Sequence, residues 1–264
     1  MTVAPSSAPP RLERGAPFSG LIQVAGVHDL AEALALRAAG VHAMGLPLRL
    51  PVNAEDLTEP EAARLVAEVE RLPAPPLLPV GITYIADGAE AAEFCRVLGL
   101  RRLQLHGPVA ATELARLRRE LPDLFLIKSL VVRAEGNLPE LLDTVRELAP
   151  LADAFITDTH DPATGADGAT GRTHDWAVSA ELARRSPRPV ILAGGLTPDN
   201  VRAAILRVRP AGVDAHTGVE GPDGRKCPER LRRFVDEARR GFAEAVTAHG
   251  PRRAAHSLLL RQAP

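Results

Sequence analysis

Short apolar runs and longer amphipathic stretches alternate along this chain. The runs are Leu21–Ala25, Val41–Gly45, Leu77–Tyr84, Leu103–Leu105, Leu124–Val131, Ala154–Thr157, Val190–Ala193 and Gly212–Ala215. Each precedes a stretch with apolar residues three or four apart, such as Leu30–Ala39, Glu61–Arg71, Ala89–Leu98, Ala111–Leu121 and Pro228–Ala245. A short, continuous apolar run reads as a strand buried on both faces, and the longer period as a helix packed against it. Eight such repeats are the count of a (β/α)8 TIM barrel, and a stretch of roughly 230 residues suits one. An open doubly wound sheet usually shows fewer strands and a glycine-rich first turn. Here that turn reads Ala25-Gly26-Val27-His28, without the G-x-G-x-x-G pattern. The pattern therefore predicts an α/β chain with one barrel domain over residues 19–248.

The flanks carry no such period. Residues 1–18 begin with a stretch rich in Pro, Ser and Ala and are expected to form a disordered lead-in. Residues 249–264 form a C-terminal tail with no legible element. Composition narrows the function classes. Of 264 residues, 45% are hydrophobic and 25% charged, with 32 basic against 33 acidic side chains and a net charge of −1. That balance gives no drive toward nucleic acid or an acidic membrane surface. Cys95 and Cys227 are too few for a disulfide framework, no apolar run approaches the ~20 residues of a membrane helix, and no signal-peptide pattern opens the chain. A cytoplasmic protein is expected. The arginines of 116–119 and 230–233 are expected to be solvated helix faces, Asp175 a helix N-cap, and Cys95 core packing.

In a barrel of this kind, chemistry sits where strands end and the following loops begin. The strand ends deliver His28, then Gln104 and His106, Lys128, Asp158 and His160, Gly194 and Gly195, and finally Asp214, His216, Thr217 and Gly218. The loops after the last two strands are the usual phosphate cradle. Gly194, Gly195, Thr217 and Gly218 supply backbone N–H groups and a hydroxyl there, so a small phosphorylated metabolite is the expected ligand.

These same segments carry a resemblance. ILAGGLTPDNV (191–201), GVDAHTGVE (212–220), QLHG (104–107), DT (158–159) with GATGRTHDW (168–176), and IQVAGVHDLAEALALRAAG (22–40) resemble phosphoribosylanthranilate isomerase of tryptophan biosynthesis. The similarity runs from about Leu21 to Phe234. It implies a TIM barrel, a phosphosugar held at the last two loops, and an Amadori rearrangement in which an aminofuranose ring opens and a proton leaves the neighbouring carbon. By the same resemblance Asp158 is the general acid, His106 and Asp214 line the substrate pocket, and Gly194, Gly195 and Gly218 hold the phosphate.

The chain also departs from the family. Gln23-Val24-Ala25-Gly26 stands where the family carries Lys-Ile-Cys-Gly, whose cysteine is its general base. The family's Ser-Pro-Arg segment has no clear counterpart in residues 48–61, and His216-Thr217 replaces its serine pair. Histidines are gained at the same places: His28, His160 and His216. The expectation is acid/base isomerase or lyase chemistry on a phosphorylated, sugar-derived metabolite, other than the classical tryptophan-pathway reaction. Asp158 is the expected acid and His28 the expected base, because an imidazole titrates near neutrality. His216 joins the substrate-binding set. No cofactor is expected. One alternative is a metal-dependent lyase or hydrolase with a divalent ion on His28, His160 and His216. Another is a phosphosugar-binding protein without turnover.

Overall fold

The computed structural model describes residues 10–51, 55–133, 136–161, 166–167 and 175–249. Its strands are β1 (Leu21–Ala25), β2 (Ala43–Pro47), β3 (Leu78–Thr83), β4 (Arg102–Leu105), β5 (Phe125–Val132), β6 (Ala154–Asp161), β7 (Ala166–Asp167), β8 (Val190–Leu192) and β9 (Gly212–Ala215). Its helices are α1 (Leu30–Ala39), α2 (Glu59–Glu70), α3 (Gly88–Leu98), α4 (Ala111–Glu120), α5 (Leu138–Leu148), α6 (Trp176–Arg185), α7 (Val201–Val208) and α8 (Pro228–His249). Apart from β7, which adds to β6 antiparallel, the strands run parallel in the order β5-β4-β3-β2-β1-β9-β8-β6. β5 also pairs with β6, so the sheet closes on itself as the TIM barrel the apolar pattern predicts.

Local chemistry starts and stops several helices. Asp29, Asp87 and Asp175 accept backbone N–H bonds at the N-termini of α1, α3 and α6, as expected of Asp175. Gly40 ends α1 in the left-handed region at φ 88°. Side-chain alternation along the strands then divides the core in two. Ile22, Val24, Met44, Leu103, Leu105, Phe155 and Leu192 face the helices, while Leu21, Ala43, Val80, Phe125, Ile127, Ala154, Ile156 and Ile191 fill the barrel. Continued toward the C-terminal strand ends, the inward rows reach Gln23 and Ala25, Gln104 and His106, Asp158, and Asp214. Polar side chains thus replace aliphatic ones on the barrel axis at the C-terminal ends of the strands.

Three expectations are corrected. Part of the expected disordered lead-in is packed: Leu12 and Phe18 are buried in the barrel's inner cluster, and Phe18 meets Phe125 edge-on at 6.2 Å. These residues close the end of the barrel where the strands begin, because a ring of strand-start side chains needs an apolar cover. Arg118 is buried rather than solvated. Its guanidinium donates to the carbonyls of Leu151 and Leu124 and to Asp153, which also accepts from Leu126 N at 2.8 Å. Lys128, flagged as a strand-end group, is also committed. Its ammonium donates to the carbonyls of Gly107 (2.8 Å), Ser129 (3.0 Å) and Leu105 (3.3 Å), tying β4 to β5. Residues 1–9 of the lead-in, residues 250–264 of the C-terminal tail and most of the loop after β6 lie outside the described residues.

Candidate active site

A continuous polar row crosses the barrel at the C-terminal ends of its strands. Gln23 Nε2 donates to Gln104 Oε1 at 3.0 Å, and Gln104 Nε2 lies 2.7 Å from His106 Nε2. An amide N–H facing Nε2 makes that nitrogen the acceptor, so the neutral ring carries its proton on Nδ1. His106 Nδ1 sits 3.3 Å from Asp158 Oδ2, and the other oxygen of Asp158 accepts from Thr159 N at 2.8 Å. Tyr84 packs on the imidazole with ring centroids 5.3 Å apart. Asp158 lies inside β6, opposite Val131 of β5, so strand pairing rather than a loop fixes its direction.

Asp214 faces this row from the adjoining wall, its residue in register with Gln23 across the β1–β9 pair. It is buried, and its Oδ1 and the Oε1 of Gln23 have no hydrogen-bond partner among the described residues. Buried polar atoms without partners are scarce in folded proteins, so two at the mouth of a barrel make this end a candidate ligand site. Burial pushes the Asp214 carboxyl up to about 8, Asp158 adds to the rise, and the Gln23 amide and the Lys226 ammonium oppose it. Asp214 therefore keeps its proton at neutral pH and can donate a hydrogen bond.

The glycines of the loops expected to hold phosphate shape the turns after β8 and β9. Gly194 and Gly195 adopt φ of 96° and 61°, which a residue with a side chain rarely enters. A β-carbon on Gly218 would fall 1.9 Å from the carbonyl oxygen of Leu196, so the loops after β8 and β9 touch only because residue 218 is glycine. Thr217 begins a single 3-10 turn, Thr217–Val219, beside them.

The two described histidines outside the polar row differ sharply. His28 Nδ1 lies 3.1 Å from Glu32 Oε2, and its Nε2 lies 3.2 Å from Asp56 Oδ1. Both ring nitrogens thus face carboxylates rather than open space, which counts against His28 as the expected base. Burial works against ionised Glu32, but N–H bonds from His28 and Lys226 hold its carboxyl below the usual range. His216 instead leans across from β9 onto the end of β1. A β-carbon on Gly26 would lie 2.1 Å from its Nε2. Burial first, and then Lys226, pull this imidazole below its ordinary value. The side chain of His160 lies outside the described residues. Among the described residues no group of three or more His, Cys, Asp or Glu side chains could hold a metal ion.

Sequence reasoning identified Asp158, His106, Asp214 and the glycine loops, and the structure brings them to one end of the barrel. It missed the carboxylates that engage His28, and it missed Glu220 and Lys226. One signal for Lys226 was available. The chain has only two lysines among many arginines, and both are buried.

Residues 32–237 match the family described as N-(5'phosphoribosyl)anthranilate (PRA) isomerase. The chain belongs to this isomerase family. The N-(5'-phosphoribosyl)anthranilate isomerase of Haloferax volcanii is 37% identical over 234 residues, covering 87% of this chain and 94% of that protein. Isomerase 2 of the same name from Methanosarcina mazei is 33% identical over 221 residues, covering 84% and 95%. The crystal structure of phosphoribosyl anthranilate isomerase from Thermotoga maritima is 26% identical, with a TM-score of 0.68 over 83% of this chain and 98% of that one. The protein is thus a TIM-barrel enzyme of the isomerase class. The expectation that a different reaction has replaced the classical one gains no support from these relatives, all of which carry the name of the classical isomerase.

Proposed function

We propose that this protein catalyses the rearrangement for which its relatives are named, converting N-(5'-phosphoribosyl)anthranilate to the isomeric 1-amino-1-deoxyketose phosphate. The observation that carries this reading is the row Gln23–Gln104–His106–Asp158 facing Asp214 at the strand ends, with the glycine loops after β8 and β9 beside it. The loops hold the phosphate through backbone N–H groups. In its protonated form Asp158, held by Thr159 and facing His106, delivers that proton to the furanose ring oxygen as the C1–O bond breaks and C1 becomes an iminium carbon. Asp214 and Gln23 offer a donor and an acceptor to the sugar hydroxyls. Loss of the C2 proton then gives an enol-amine, which tautomerises to the ketose. Protons and electrons shift within one substrate, so the reaction requires no redox cofactor.

Turnover of N-(5'-phosphoribosyl)anthranilate by the purified protein tests the reading. Asp158→Asn should lower kcat by ~10²–10⁴-fold, the usual worth of a positioned proton donor, while affinity for inorganic phosphate stays unchanged. Full activity in that variant removes Asp158 from the chemistry. Phosphate binding without turnover by the wild type replaces the enzyme reading with that of a binding protein.

A further inference from the structure

We propose that His216 is the proton acceptor of this site, taking the C2 proton of the ring-opened substrate. The inference rests on the reading above, because an aldosylamine becomes a ketose only if hydrogen leaves C2. The described groups at the strand ends leave few candidates. His106 lies within the row, with Nε2 2.7 Å from Gln104 Nε2 and Nδ1 3.3 Å from Asp158 Oδ2. The Lys128 ammonium is donated to three carbonyls and a hydroxyl. His28 is held between Glu32 and Asp56. Asp214 retains its own proton.

His216 has a built seat. The last barrel strand, β9, pairs with β1, and the imidazole rests over Gly26, where a β-carbon would sit 2.1 Å from Nε2 and 2.6 Å from Cδ2. Gly26 follows Ala25, whose methyl group leaves the end of β1 without a titratable side chain of its own. Glu220 Oε1 stands 3.5 Å from His216 Nε2 and is fixed by Lys226 Nζ at 2.5 Å. The carboxylate partly balances the imidazolium once the proton arrives. Lys226 and His28 disfavour that cation, whereas Glu220 and Asp56 favour it. Burial outweighs them, so the resting ring is neutral and ready to accept. Acid and base then approach from separate walls, because β9 and β6 are separated by β8 in the sheet.

The step balances. The C2–H bond breaks as the N–H bond forms on His216. The released electron pair becomes the C1–C2 double bond, and the iminium electrons settle on the arylamine nitrogen. Ketonisation then returns a proton to C1 and removes one from the C2 hydroxyl.

The test measures kcat, KM and their pH dependence for wild type, His216→Asn, His216→Gln and the double variant Ala25→Cys/His216→Asn, with N-(5'-phosphoribosyl)anthranilate as substrate. Both single variants should lose kcat by ~10²–10⁴-fold with KM within about threefold and Tm preserved. In the wild type, kcat/KM should fall as the pH drops through a value below the ordinary imidazole range, and this limb should vanish in the variants. The thiol of the double variant should restore turnover, with a limb moved up toward the ~8.5 of a free cysteine. Retention of kcat within threefold, or loss through KM alone, overturns the assignment and makes His216 a phosphate-holding residue. If either single variant unfolds, absence of the acidic limb in the wild type overturns it equally. A wild type that binds inorganic phosphate but does not turn over the substrate defeats the parent reading, and this proposal with it.

Discussion

Replacing Asp214 with asparagine removes the most strongly perturbed carboxyl of the site at nearly constant volume. In the native protein burial raises that carboxyl to about 8 from a reference value of 3.8, with Asp158 adding to the rise. A carboxyl raised on folding contributes stability that is fully present below about 3.8 and is lost progressively as pH rises to about 8. Across that window the unfolded chain has released the proton and the native chain has kept it. Each pH unit is worth about 1.4 kcal/mol, so the full window is about 6 kcal/mol as an upper limit. Asparagine does not titrate. Between pH 5 and pH 8 its stability relative to wild type should therefore rise by about 2–4 kcal/mol and then level off. Urea unfolding of both proteins at pH 5, 6.5, 8 and 9, with m compared to confirm a common transition, measures this difference. A difference constant within about 0.5 kcal/mol over the four pH values would mean that Asp214 is ionised in the native site. That outcome would refute its description as a proton-carrying hydrogen-bond donor. The same variant should weaken turnover, so a site built for binding is here a site of reduced stability at alkaline pH.

Two further outcomes follow from the packing. Arg118→Ala strands Asp153 beneath α4 with only a backbone donor, and should cost about 3–5 kcal/mol by chemical denaturation. Adding Asp153→Asn should recover part of that loss, and an Arg118→Ala protein of wild-type stability would disprove the buried ion pair. Gly218→Ala forces the loops after β8 and β9 apart at the Leu196 carbonyl. It should weaken inorganic phosphate binding and raise KM by ~10-fold or more, with a smaller change in kcat, because the donors of a phosphate cradle work only at hydrogen-bond distance. Unchanged phosphate affinity would remove those loops from the ligand site.

Much of the architecture was legible without coordinates, because burial on both faces leaves a strand no choice but a continuous apolar run. The eight runs and their order carry the barrel, and a barrel carries the rule for where its ligand enters. The positions of Asp158, His106, Asp214 and the glycine pair followed from counting to the ends of those runs. The roles of the histidines did not. His28 and His216 are both histidines near strand ends, yet the first is bracketed by Glu32 and Asp56 and the second is seated over Gly26 with Glu220 and Lys226 behind it. Nothing in the spacing of these residues distinguishes the two. Leu12, Phe18 and Arg118 show the same limit. A proline-rich segment and a basic helix face lack apolar period, and only closure of the barrel and the seating of α4 bury them.

What this sequence determines by itself is the periodicity that makes strands and helices alternate, and with it the ring of residues at one end of a barrel. That information is local, because alternation and helical period act between near neighbours. Tertiary structure alone decides which members of the ring keep, share or accept a proton. A carboxyl or imidazole takes its charge state from burial and from partners many residues away. For His216 these come from Gly26 and Lys226, brought together where the last strand meets the first.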